Sequence, residues 1–159
     1  VEFTSMSKTF SMPGWRMGFA VGNEYLISAL TRIKSYLDYG AFTPIQVASV
    51  AALNSEVKVI DEIRNVYKER RDILVDSFSN AGWKIPLPKA TMFAWSPIPD
   101  KYSKLSSLEF SKLLLEEVDI AVSPGVGFGE YGEGFVRLSI VENEQRIRQA
   151  ARNLRKIMK

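Results

Sequence analysis

"SMSKTFSMPGWRMG" (residues 5–18) sets one lysine, Lys8, among three serines and a threonine, then turns through Pro13-Gly14 and presents Arg16 between Gly14 and Gly18. A lysine amine is a nucleophile that condenses with aldehydes. If the aldehyde also carries a phosphate, that phosphate needs hydroxyl and guanidinium donors at a fixed reach. Ser5, Ser7 and Arg16 supply those types on one loop, beside glycines that let backbone approach closely. Each charge-assisted hydrogen bond contributes roughly 1.5–3 kcal/mol, so two or three would anchor such a ligand. On residue types alone, an exposed Ser/Lys loop ahead of a turn is the simpler reading.

Working outward, "VEFTS" (1–5) reads as the middle or end of a strand, so the chain is expected to start inside a larger protein. Phe19-Ala20-Val21 is a short apolar run between two glycines and predicts a buried strand. Asn23 can cap a helix over Glu24–Lys34, "YLDYGAFTP" (36–44) reads as a loop, and Pro44 can open a second helix through about Asn54. A long amphipathic helix is predicted over Glu56–Ser79, with Ile60, Ile63, Tyr67, Leu74 and Phe78 on one stripe and a stop at Ala81-Gly82. Trp83–Ile85 and Thr91–Ser96 read as strands around the Pro86 and Pro88 turn. Ser106 with Glu109 matches a capping box ahead of Phe110, Leu113, Leu114 and Val118. Ile120–Ser123 and 135–141 read as strands, and Asn143 can cap a last helix with Ile147, Ala150, Ala151, Leu154 and Met158 inward. The pattern is mixed α/β, with a domain boundary expected in the first turns of the long helix.

Composition narrows the chemistry. The 159 residues include no cysteine and no histidine, which removes disulfides, thiol nucleophiles, Cys/His zinc sites and a Ser-His-Asp relay from this chain. No metal site is expected. No apolar run is long enough to span a bilayer, so no membrane association and a cytoplasmic location are expected. A net charge of +3 is small, and its cations are mostly interleaved with acids, as in "YKERRD" (67–72), which reads as a solvated helix face and not a nucleic-acid site.

Two further features invite a trial. "GFGEYG" (127–132) matches G-x-G-x-x-G literally, but a dinucleotide site needs a helix immediately after it, and the next element alternates like a strand. A shaped turn between strands is the better reading. In that strand Val136, Leu138 and Ile140 share one face, so Phe135, Arg137 and Ser139 point to the other. A mid-strand arginine is either a surface residue or a bidentate carboxylate clamp.

The opening stretch resembles the cofactor-lysine signature of the fold type I pyridoxal-phosphate enzymes, the class I/II aminotransferases. Ser-x-Ser-Lys and Gly-x-Arg-x-Gly both stand in it, and "KSYLDYGAFTPIQVA" (34–48), "PKATMFAW" (88–95) and "VSPGVGFGEYGEGFVRLSIVEN" (122–143) extend the likeness over the whole chain. The detail resembles the alanine-forming (glutamate–pyruvate) branch more than the aspartate branch. The resemblance implies an α/β chain made of the C-terminal end of the large domain (1–55) and the small α+β C-terminal domain (56–159), joined by the long helix. Lys8 would be the catalytic lysine that holds the pyridoxal phosphate and shuttles the proton. Ser5 and Arg16 would bind its phosphate, with Ser7 adjacent. Arg137 would bind the substrate α-carboxylate, and Tyr39 would lie near the site shared by a homodimeric parent. The implied reaction moves an amino group between an amino acid and a 2-oxo acid such as 2-oxoglutarate, with the isolated segment inactive. Alternatives are a non-catalytic folded fragment or interaction module, or a C–S lyase of the same family.

Overall fold

The computed structural model describes residues 1–158, and its internal contacts divide the chain into two units, Val1–Asn65 and Val66 onward. In the first unit, β1 (Glu2–Ser5) pairs antiparallel with β2 (Gly18–Val21), with Ser5 opposite Gly18. Gly18 permits that approach, since a Cβ there would come within 2.9 Å of the Thr4 carbonyl oxygen. The chain between the strands forms α1 (Met6–Thr9) and a single 3₁₀ turn, Pro13–Trp15. The expected strand over Phe19–Val21 is present but not buried: its residues are half-exposed or exposed. In a ribbon of two strands each strand is an edge, so apolar content alone did not guarantee cover.

α2 (Glu24–Leu37) starts at Asn23, whose Oδ1 accepts from the Tyr25 and Leu26 amides at 3.1 and 3.4 Å. It outruns the expected end at Lys34, because Asp38 stops it by accepting from Lys34 Nζ at 2.5 Å and from the Gly40 amide at 2.9 Å. α3 (Thr43–Leu53) follows with Pro44 in its first turn, where a missing N–H costs nothing. No residue of α2 is fully buried, and α3 buries only Ser49. α4 (Val57–Ala81) contains the division between the units.

In the second unit Leu74, Phe78 and Ala81 carry the buried stripe of α4. The helix ends at Gly82 (φ 104°), a left-handed position that glycine takes without strain, and the Trp83 amide donates back to the Phe78 carbonyl at 2.9 Å. The expected strand at Trp83–Ile85 does not form. Both residues are 2% exposed and fill the core, but no strand pairs with them, and Pro86 and Pro88 lack the donors a ladder needs. Trp83 instead packs on Phe78 and Phe110, ring centroids 5.8 and 5.4 Å away, and its Nε1 donates to the Pro97 carbonyl at 3.1 Å.

β3 (Phe93–Pro97), α5 (Ser107–Val118), β4 (Ser123–Pro124), β5 (Phe135–Ser139) and α6 (Glu144–Met158) complete the unit. The Ser106/Glu109 capping box is present at the start of α5. The strand expected over Ile120–Ser123 shrinks to Ser123–Pro124. Asp119 turns left-handed to end α5, and Ile120 points into the core without joining the ladder. The sheet order is β3-β5-β4, all antiparallel. Val136, Leu138 and Ile140 are buried with Leu114, Val118, Ile147 and Leu154, while Phe135, Arg137 and Ser139 stay on the open face.

The glycine-rich stretch links β4 to β5 through two 3₁₀ turns, Gly125–Phe128 and Glu130–Gly132, the shaped turn the sequence suggested. Its backbones cross so closely that a Cβ on Gly125 would overlap the Gly132 carbonyl oxygen, and one on Gly132 would overlap that of Gly125. Among the described residues no helix is long and apolar enough to cross a membrane, and no cluster of acidic residues could hold a metal ion.

Candidate active site

The β1–β2 ribbon brings four of the expected residues to one end. Pairing Ser5 with Gly18 sets the turn that follows β1, carrying Ser7 and Lys8, beside the turn that precedes β2, carrying Arg16. Ser5 Oγ accepts from the Ser7 amide at 3.1 Å, capping α1, and donates to Ser7 Oγ at 2.9 Å. Ser5 Oγ also lies 3.3 Å from the Met17 carbonyl oxygen, a second acceptor for its single proton. The turn is held from inside: Met6 is fully buried and its amide donates to the Met17 carbonyl at 3.1 Å.

Arg16 takes a left-handed backbone (φ 52°, ψ 43°), and Ser11 in the same loop does likewise (φ 52°). For residues with a Cβ that conformation costs on the order of 1–3 kcal/mol each and persists where surrounding structure enforces it, commonly at ligand sites. Arg16 Nη1 donates to the Pro13 carbonyl at 3.1 Å, which steadies the side chain and leaves its other guanidinium donors open. Ser5, Lys8 and Arg16 are exposed and Ser7 is half-buried, so all can be reached by a small molecule.

Arg137 stands in the second unit, on the middle strand of the sheet, opposite Trp95 on one side and Ser123 on the other. Its guanidinium carbon lies 4.1 Å from the Phe93 ring centroid and 4.4 Å from that of Phe128. No carboxylate among the described residues pairs with it, whereas Arg70 meets Glu144 at 3.2 Å and Arg71 meets Asp72 at 2.6 Å. The turn that carries Phe128 is pinned by Glu133, which accepts from the Ser107 amide at 2.5 Å, the Gly134 amide at 3.0 Å and the Ser107 hydroxyl at 3.1 Å. These bonds, the Ser107 amide first, hold the Glu133 carboxyl below the usual carboxylate range. Sequence reasoning missed Phe93 and Phe128; the alternating aromatics of "MFAW" (92–95) were the available signal for the first, and no local pattern signals the second.

Tyr39 is fully exposed in the loop between α2 and α3. That loop is shaped by Asp38, whose carboxyl is held below its ordinary value chiefly by the hydrogen bond from Lys34.

A lysine, two hydroxyls and an arginine gather on one turn of the first unit, and an arginine that meets no carboxylate among the described residues stands on the sheet of the second. The chain belongs to the class I and II aminotransferase family, whose model matches residues 1–154. It is 68% identical over 158 residues to the putative aminotransferase AatC of Rhizobium meliloti (strain 1021), covering 99% of this chain and 39% of that protein. It is 52% identical over 155 residues to the glutamate-pyruvate aminotransferase AlaC of Escherichia coli (strain K12), covering 98% of this chain and 38% of that protein. A substrate-bound BacF structure from Bacillus subtilis superposes with a TM-score of 0.92 at 37% identity, covering 98% of this chain and 39% of that one. The chain thus spans about two fifths of the length of the relatives it matches.

Members of this family depend on pyridoxal phosphate. The donor set fits that group: a primary amine for its aldehyde, and the Ser7 hydroxyl with the open edge of Arg16 for its phosphate oxygens.

Proposed function

We propose that this chain is the C-terminal portion of a homodimeric, cytoplasmic aminotransferase that moves an amino group between an amino acid, alanine or aspartate, and a 2-oxo acid such as 2-oxoglutarate. The observation that carries the reading is the gathering of Ser5, Ser7, Lys8 and Arg16 at one end of the β1–β2 ribbon. When bound, pyridoxal phosphate supplies an aldehyde that takes up amino groups and a ring that withdraws electrons from the bond being broken. Lys8 Nζ would hold the cofactor through its aldehyde and would accept the proton that leaves the substrate α-carbon. Ser5, Ser7 and Arg16 hold the phosphate, with Ser5 orienting Ser7 through their 2.9 Å hydrogen bond. Arg137 grips the substrate α-carboxylate with its planar fork. Tyr39, fully exposed, would lie near the site shared by the two subunits of a dimeric parent.

Tyr25, Leu26, Tyr36, Leu37 and Phe42 of the first unit are large apolar side chains left open, which supports the view that further polypeptide covers it. On the same reading the 159 residues alone do not transaminate. The test is amino transfer to 2-oxoglutarate by the full-length protein, profiled over amino donors, with Lys8→Ala alongside. Retained transfer in the variant, or a product profile of thiol release without transfer, contradicts the proposal.

A further inference from the structure

The Arg137 guanidinium lies within cation–π distance of two rings and meets no carboxylate among the described residues. Its N–H donors all lie in one plane, while its faces are weakly hydrated and suited to aromatic contact. Phe93 and Phe128 occupy the neighbourhood of Arg137 at 4.1 and 4.4 Å without consuming a single donor. Phe93 sits on β3 two residue pairs from Trp95, which is directly opposite Arg137. Phe128 is braced from behind: Trp95 meets it edge-on at 5.7 Å (77°) and is itself stacked on Phe135 at 5.7 Å (17°). The row Phe135, Trp95, Phe128 therefore buttresses one ring against the guanidinium.

We propose that Phe93 and Phe128 are positioning residues for carboxylate recognition: they fix the plane of Arg137 so that its donor edge is presented, unpaired, to the α-carboxylate of the amino acid or 2-oxo acid. This rests on the reading of Arg137 as the carboxylate clamp. The rings touch no reacting atom and act through the arginine. Fixing a long side chain before the substrate arrives removes ordering cost from the binding step. Losing one ring contact weakens binding by about 3- to 10-fold, the scale of a cation–π interaction.

The experiment compares L-alanine with ethylamine, which differ only by the carboxylate, as donors to the full-length protein. The half-reaction rate constant is measured for each in wild type, Phe93→Leu, Phe128→Leu, Phe128→Tyr and Arg137→Lys. The constant for alanine is expected to fall about 3- to 10-fold in both leucine variants through KM with kcat nearly unchanged. That for ethylamine stays put, and Phe128→Tyr behaves as wild type. Equal losses for both donors would show a merely structural role, and no loss for either would show no role; each overturns the inference. Arg137→Lys separates the two layers. If it leaves the alanine-to-ethylamine ratio intact, the clamp reading itself fails; if it lowers the ratio while the leucine variants do not, only the present inference fails.

Discussion

Two glycines of one loop should respond oppositely to the same methyl group. At Gly125 a Cβ would overlap the Gly132 carbonyl oxygen and lie 2.5 Å from the Phe135 carbonyl oxygen, and both obstacles are backbone. At Gly127 a Cβ meets nothing within 4 Å. Overpacking of this kind costs about 1–3 kcal/mol where side chains can yield, and more where backbone must move. Gly125→Ala is therefore expected to cost at least about 3 kcal/mol. At roughly 4–8 °C per kcal/mol for a domain of the second unit's size, that is a fall in Tm of about 12 °C or more. Gly127→Ala should change stability by less than about 1 kcal/mol, with a slight gain from the reduced freedom of the unfolded chain. Thermal unfolding followed by circular dichroism reads both. The loop also carries Phe128, so Gly125→Ala should weaken carboxylate binding in the full-length protein as well. Equal melting temperatures for the two variants would refute the packing argument.

Arg16→Ala should raise the dissociation constant of pyridoxal phosphate, read by absorbance titration, roughly 10- to 100-fold, the value of one charge-assisted hydrogen bond; an unchanged constant removes Arg16 from the site. Trp83→Ala should cost about 3–5 kcal/mol in urea unfolding, because it empties the contact between Phe78 and Phe110. A cost below about 1 kcal/mol would mean that the core collapses to fill the space. Glu133 titrates below its ordinary value when folded, so its ionised form is favoured by folding. Its stabilisation is present above the ordinary carboxylate value, about pH 4.3, and is lost as pH falls through the depressed value. The gap in urea midpoint between wild type and Glu133→Gln should accordingly be open at pH 7 and closed at low pH. A gap independent of pH would contradict the network around Ser107.

Local rules carried most of the fold. Asn23, the Ser106/Glu109 box and Gly82 announced helix ends because capping is a matter of a few adjacent donors and acceptors. The strands were harder, because a strand exists only if a partner lies beside it. Trp83–Ile85 has the composition and burial of one yet lacks a neighbour, and Ile120 is buried outside the ladder for the same reason. Alternation along 135–140 correctly turned Arg137 to the open face, since period two leaves only two choices. Of the rings around it, Phe93 could be read from the alternating aromatics of 92–95, whereas Phe128 was illegible, because it reaches Arg137 through a loop whose path depends on the Gly125–Gly132 crossing. Left-handed Ser11 and Arg16 were equally hidden, since nothing in those side chains asks for a positive φ.

The most direct trial of the account concerns which amine captures the cofactor. Full-length protein is incubated with pyridoxal phosphate, reduced with borohydride, digested and mapped by mass. A single adduct on the peptide carrying Lys8 is the expected result. Labelling spread over several lysines, or concentrated at any other, would contradict it.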